Sequence, residues 1–308
     1  MDATYLIRRW RLRASRMLNA AIGGLAIGAL KLVRLFKPDS SINFAANIMR
    51  RLGPLIPEHK LGRSNLQHAF PEKSPAEIEA ILREVWANLG RVGAEFAHLD
   101  RLWDYNLERP EQGRIEFAPG TIERFFALRD DGKPALVFAA HFGNWELSAI
   151  AAAAHGLEAA SLYRRPNIRQ LDHFIRDVRA TNMGTLIASG MDAPSRLAGA
   201  LERGAHLGIL VDQHFSKGVD VEFFGRTCKA NSLFARLARQ FECPIHGTRI
   251  VRLPNNRFRA ELTEEIPPVR DADGRIDLAG TTQAITSVIE GWVREHPAQW
   301  LWLHRRWR

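Results

Sequence analysis

The chain has 308 residues, 46% of them hydrophobic, and its 43 Lys and Arg against 34 Asp and Glu give a formal net charge of +9. That is enough apolar material to bury a full core, in one sizeable domain with an appendage. Two cysteines, Cys228 and Cys243, without C-x-x-C spacing, exclude a disulfide framework and a structural zinc site and suit a reducing compartment. The positive charge points to an anionic partner: nucleic acid, membrane phospholipid, a phosphorylated lipid or an acidic carrier protein. No zinc-finger spacing, RNA-recognition signature or basic low-complexity tail supports the first, so no nucleic acid is expected.

Met17 to Leu30 is apolar apart from Asn19, yet shorter than the ~20 residues that cross a bilayer as a helix. Arg8, Arg9, Arg11, Arg13 and Arg16 precede it, and Lys31, Arg34 and Lys37 follow. Basic residues on both flanks leave the positive-inside rule without an answer. A helix lying in the cytoplasmic leaflet, with Lys31 and Arg34 snorkelling to headgroups, satisfies both flanks and is the expectation. A tilted span to Phe36 and a buried amphipathic core helix are its alternatives. Gly24 and Gly28 make a weak G-x-x-x-G pair. Ile42 to Ile56, with Arg50 and Arg51, continues in the same character until Pro57. Residues 1–58 are therefore expected to form a membrane anchor and amphipathic region, and residues 59–308 an α/β domain.

From Ser74-Pro75-Ala76-Glu77 a helical pattern runs to about Leu99, with Ile78, Ile81, Leu82, Val85, Leu89, Val92 and Phe96 at helical spacing. It reads as a packing helix. After Gly113, strands are predicted near 114–118, 134–140, 158–163, 184–188, 206–212, 244–252 and 257–262. Helices are predicted near 120–129, 144–155, 168–182, 192–203, 231–242 and 281–296. This alternation predicts an α/β fold, a largely parallel central sheet flanked by helices, with an N-terminal membrane-anchoring helix.

The apolar run 134–140 ends on His141-Phe142-Gly143-Asn144-Trp145-Glu146. On one helix, five steps of ~100° would hold His141 and Glu146 apart. They meet only if His141 sits in a strand-to-helix turn and Glu146 in the first turn of the helix. Gly143 permits the tight turn, and Asn144 suits the helix N-cap. Glu146 would then accept from one ring nitrogen and leave the other to take a proton from a substrate hydroxyl. The competing reading is a structural histidine near an acid. Its place at a strand's carboxyl end favours catalysis.

With turn, strand and anchor placed, the chain resembles the late acyltransferases of lipid A biosynthesis, in the lysophospholipid acyltransferase superfamily with its His-x-x-x-x-Asp/Glu motif. The likeness runs from Asn65-Leu66 and Phe70-Pro71-Glu72 to Trp302-Leu303-His304-Arg305-Arg306. Between these lie His141 to Glu146, Tyr163-Arg164, Asp212-Gln213 and Phe223-Phe224-Gly225. The resemblance implies His141 as general base, Glu146 as its partner, Arg179 as a basic residue needed for activity and Asp212 as a needed acid. Asn144, Arg164 and Gln213 are expected to bind substrate. After Tyr163-Arg164 the family often reads Pro and then Asn-Pro, where this chain has Arg165-Pro166 and Ile168-Arg169.

The implied reaction carries an acyl chain from acyl-acyl carrier protein to a hydroxyl of a lipid A precursor, without cofactor or metal. It is placed at the bacterial inner membrane, with the catalytic domain on the cytoplasmic face. No G-x-S-x-G elbow is present, so direct transfer without a covalent enzyme intermediate is expected. Arg179 is left between two roles, gripping a lipid phosphate or stabilising an oxyanion beside the N–H groups that open the 144–155 helix. Asp212 is read as orienting Arg179 or the substrate. Trp300, Trp302 and Trp307 with Arg305 and Arg306 fit an interfacial patch or a C-terminal strand. His206 and His214 complete no metal-ligand set. Two other readings are acyl-CoA-dependent acylation of another membrane glycolipid, such as phosphatidylinositol mannoside, and a non-catalytic lipid-binding protein.

Overall fold

A computed structural model describes residues 3–105, 108–109, 112–166 and 168–307, and their side chains except at 3–8, 11–16 and 169. The side chains of Arg8, Arg11, Arg13 and Arg16 therefore lie outside the described set. Four helices open the chain: α1 (Ala3–Val33), α2 (Pro38–Leu52), α3 (Glu58–Ala69) and α4 (Pro75–Phe96). Then follow β1 (Ile115–Phe117), α5 (Thr121–Asp130), β2 (Leu136–Ala139), α6 (Glu146–Ala154), β3 (Ala159–Tyr163) and α7 (Arg169–Asn182). Next come β4 (Thr185–Ala188), α8 (Ala193–Glu202), β5 (His206–Leu210), β6 (His214–Phe223) and β7 (Arg226–Ala230). The chain closes with α9 (Leu233–Phe241), β8 (Ile245–Arg252), β9 (Phe258–Leu262) and α10 (Leu278–Glu295).

The predicted α/β sheet is present, seven strands in the order β1-β9-β8-β2-β5-β3-β4. Strands β8, β2, β5, β3 and β4 are parallel, while β9 runs antiparallel to β8 and carries β1 parallel to itself. Period two sorts the side chains of β2. Leu136 and Phe138 enter the main core, which also takes Leu197 of α8, Phe234 of α9 and Ile289 of α10. Val137 and Ala139 face the other way, toward the side covered by α5, α6 and α7.

Helix α4 starts where its sequence signal puts it. Ser74 Oγ accepts from the Glu77 N–H at 3.3 Å while the Glu77 carboxylate accepts from the Ser74 N–H at 2.8 Å, a capping box. Its Ile78, Leu82, Val85 and Trp86 are buried, as a packing helix requires. Arg50 of α2 pairs with Glu84 of α4 at 2.7 Å.

Three features were not predicted. Helix α3 buries His59, Gly62 and Asn65 beside Leu66 and Ala69, too polar a face to read by hydrophobic period. The hairpin β6–β7 turns on Phe224 and Gly225, with φ of 53° and 66°, the two positive values of a type I′ turn. Phe at the first position gives no turn signal. Its ring packs 5.3 Å from Phe70 and 5.6 Å from Trp302, and its N–H donates to Glu290 at 2.6 Å. Contacts of that kind offset the strain of a bulky residue in the left-handed region. The C-terminal tryptophans form neither an interfacial patch nor a strand. Trp300 and Trp302 are buried, and the segment pairs with the domain as an isolated β-bridge, Trp300 to Phe142, and through side-chain bonds such as Asn65 Nδ2 to the Trp302 carbonyl at 2.9 Å.

No described helix is long and apolar enough to cross a membrane. The reading of Met17–Leu30 as a buried core helix is overturned, because Met17, Leu18, Ile22 and Leu25 stay exposed. Helix α1 meets the domain through Gly23, where a Cβ would lie 2.8 Å from Ile168, and Gly24 and Gly28 have nothing within 4 Å.

Candidate functional site

Strands β2 and β5 lie side by side in a register that pairs Ala139 with Leu210. Continued two residues past the strand ends, that register sets His141 against Asp212. The His141 N–H donates to Asp212 Oδ2 at 2.9 Å, and ring Nδ1 lies 2.9 Å from Oδ1. Trp300 Nε1 donates to Oδ2 at 2.8 Å. Asp212 is thus held by three bonds and almost fully buried, with His141 in front of it.

This corrects the expected pairing. Glu146, the first residue of α6, does not reach the His141 ring. Its carboxylate accepts from Arg179 Nε on α7 at 2.9 Å, from Arg179 Nη2, and from Trp145 Nε1 at 3.1 Å. Asp212, read as orienting Arg179 or the substrate, orients the histidine instead. The four residues expected to be catalytic are brought together as two crossed pairs, His141–Asp212 and Glu146–Arg179. Burial works against charge on both His141 and Asp212. The attraction and hydrogen bond between them win, so the His141 pKa is raised and that of Asp212 lowered.

Asn144, expected to bind substrate, is fully buried. Its Oδ1 accepts from the Glu146 N–H at 3.1 Å, and its own carbonyl accepts from the Leu147 N–H at 3.2 Å. The first N–H groups of α6 are thereby satisfied within the turn and are not free for an oxyanion. Gly143 makes this possible, with φ +55° and so close an approach to Ile250 O that a Cβ would sit 1.8 Å from it.

A cavity of about 500 Å³ lies between the sheet and helices α5, α6 and α7. Its cause is legible in the residues. Ala149 and Ala152 of α6 face Ala139, Ala159, Ser161, Gly208 and Ala260 on the strands, all too small to fill the layer. At the carboxyl ends of the strands the lining includes His141, Glu146, Arg164, Arg179 and Gln213; at the amino ends it includes Leu128, Leu157 and His206. Gln213 Nε2 sits 3.4 Å from His141 Nε2, the ring nitrogen left free by Asp212. Arg164 is exposed at the mouth, and among the described residues no carboxylate pairs with it. Asn144 is therefore the one expected substrate contact that the structure turns away from the cavity.

Sequence reasoning placed Trp300 in a patch or strand and not beside Asp212, and it missed Glu95 and Arg252. Glu95 and Arg252 form a buried ion pair behind the turn. A charged residue at an apolar position of the α4 pattern was the available signal for Glu95.

A family profile described as bacterial lipid A biosynthesis acyltransferase matches residues 10–308. No curated protein matches the chain.

Proposed function

We propose, from the premise that the chain belongs to the bacterial lipid A biosynthesis acyltransferases, that this acyltransferase moves a fatty acyl chain from acyl carrier protein to a hydroxyl of a lipid A precursor. The supporting observation is a histidine, oriented by a buried carboxylate, at the mouth of a cavity walled by alanines and other apolar side chains.

Asp212 holds the His141 Nδ1–H and leaves Nε2 as the base. An alcohol does not ionise at neutral pH, so its proton passes to Nε2 as its oxygen bonds to the thioester carbon. The C–S bond then breaks, and the imidazolium returns the proton to the leaving thiolate. Arg179, lining the cavity and braced by Glu146, meets the oxyanion. Arg164, with no carboxylate of its own, meets a phosphate of the acceptor. The reaction so written uses no cofactor or metal.

The test incubates the purified protein with acyl-acyl carrier protein and a tetraacylated lipid A precursor and reads products by mass spectrometry. One added acyl group is expected. Product formed only from acyl-CoA on another glycolipid would replace this reading, and no transfer to any acceptor would end it.

The acyl chain is placed in the cavity along α6. At ~1.5 Å per helical residue, Ala152 lies ~9 Å below Glu146. A tetrahedral chain of ~1.5 Å bonds advances ~1.25 Å per carbon, so ~7 carbons reach that level. Ala152→Phe is expected to cut kcat/KM at least about tenfold for fourteen-carbon donors, and less than about threefold for eight-carbon donors. A donor series from eight to sixteen carbons reads this directly, and a profile of unchanged shape would place the chain elsewhere.

Residues 1–58 are proposed as the membrane-facing part, resting on the cytoplasmic face of the bacterial inner membrane. Exposed Met17, Leu25, Leu35, Phe44, Leu52 and Leu55 supply apolar area, and exposed Lys31, Lys37 and Arg51 the attraction to anionic lipid. Phe44→Glu with Leu55→Glu is expected to lower binding to anionic vesicles about tenfold or more in a flotation assay. Unchanged flotation would exclude this face.

A further inference from the structure

We propose that Glu95 is a positioning residue for the catalytic turn, acting through Asn144 from its buried ion pair with Arg252. The proposal rests on the reading of residues 141–146 as catalytic. Glu95 lies in the last turn of α4 and is fully buried, and the Arg252 side chain at the end of β8 is 7% exposed. The guanidinium addresses both carboxylate oxygens, Nη1 to Oε1 at 2.5 Å and Nη2 to Oε2 at 2.7 Å. Oε2 also accepts from Asn144 Nδ2 at 2.8 Å.

The same arginine reaches the turn by two other routes. Arg252 Nε donates to Asn88 Oδ1 at 2.8 Å, and Asn88 Nδ2 donates to the Gly143 carbonyl at 3.2 Å. The backbone N–H and C=O of Arg252 hold both ends of the Gln299 amide, at 2.7 and 2.9 Å, and the Gln299 carbonyl accepts from the Gly143 N–H at 2.9 Å. Arg252 is the hub of these contacts, and Glu95 is its counter-charge.

A buried ion pair is a weak device for stability, because desolvation consumes most of the attraction. It is a strong device for direction. A carboxylate only accepts hydrogen bonds, so it fixes the Asn144 amide with its NH2 toward Glu95 and its oxygen toward the Glu146 N–H. Without that anion the amide is free to turn over, setting NH2 against N–H and releasing the first turn of α6. Glu146 then loses the seat from which it holds Arg179. Glu95 touches no reacting atom; it acts through Asn144 and Glu146 on the seat of Arg179.

Glu95→Met with Arg252→Met removes both charges together and keeps the volume apolar. The double variant is expected to fold with a modestly lowered Tm, since Asn144 Nδ2 and Asn88 Oδ1 lose their partners, with kcat down about 10–100-fold and KM for donor and acceptor within about twofold. Asn144→Ala is expected to show the same kcat loss. Adding it to the double variant should bring no further loss, because the Glu95–Asn144 contact it removes is already gone. Losses that multiply, or a folded double variant within about threefold of parent kcat, would overturn the proposal. If the double variant fails to fold, Glu95→Gln serves. Its single oxygen can take only one of the two carboxylate positions, so its NH2 is set against either Arg252 Nη1 or the Asn144 NH2. A kcat loss at unchanged KM is expected, and parent-like kcat is again fatal. His141→Ala in the same assay separates the failures. Activity surviving that change removes the turn from catalysis and this proposal with it. Activity lost there but kept in the Glu95 variants removes this proposal alone.

Discussion

His141→Ala is expected to lower kcat for acyl transfer by about 10²–10⁴-fold, with KM for both substrates near the parent value. The base acts on a proton that moves only in the transition state, so its loss leaves ground-state binding intact. Asp212→Asn is the sharper experiment. The asparagine keeps most of the shape but removes the charge that outweighs burial at His141. The parent, with its histidine pKa raised, should show the acidic limb of kcat/KM above the ordinary histidine value of about 6.5. In Asp212→Asn burial dominates, with the opposed fields of Glu146 and Arg179 as lesser effects, and the limb should fall below that value. Stability should run the other way. A raised folded-state pKa adds stability that is complete below the ordinary histidine pKa and fades as pH rises through the raised one. Thermal melting of the parent should therefore decline across the window in which its activity rises. Rate profiles from pH 5 to 9 check the first point and melting curves the second; a limb that does not move would separate Asp212 from the base.

Arg179→Met is expected to lower kcat by about 10²–10³-fold, the usual cost of one oxyanion donor. The Glu146 and Leu147 N–H groups already donate to Asn144, so the opening of α6 has little left to offer. Arg179 lines the cavity, and two of its nitrogens donate to Glu146, which fixes its plane. If Arg179 instead grips a phosphate of the acceptor, the acceptor KM should rise and kcat should hold. Arg179→Lys sorts the same roles, since lysine keeps the charge but loses the two-pronged fit to Glu146. Steady-state kinetics with the acceptor varied give the answer. Arg164→Met should show the complementary pattern, a raised acceptor KM at nearly constant kcat.

These roles differ from the expected ones because they depend on strand order. His141, Gly143 and Glu146 were legible as a strand-to-helix turn, since local chemistry sets that turn: an apolar run, a glycine that must take positive φ, and helix-forming residues after it. The cavity was not legible, because the alanines of α6 leave a gap only where they face the small residues Ala139, Ala159, Ser161, Gly208 and Ala260 of the strands. Asn144 was legible as a capping residue and misread as a substrate contact, because nothing local announces that Glu95, 49 residues earlier, faces its amide.

The sequence by itself determined the alternation of strands and helices, the capping box of α4 and the position of His141 at a strand's end. Each follows from side-chain period or turn chemistry within a short window. The partner of the histidine was decided only by the tertiary structure. It follows from β5 lying next to β2 in a register offset of 71 residues, which sets Asp212 behind His141 and leaves Glu146 to Arg179. The choice among carboxylates of equal chemistry is made by long-range strand pairing, and no local pattern encodes it.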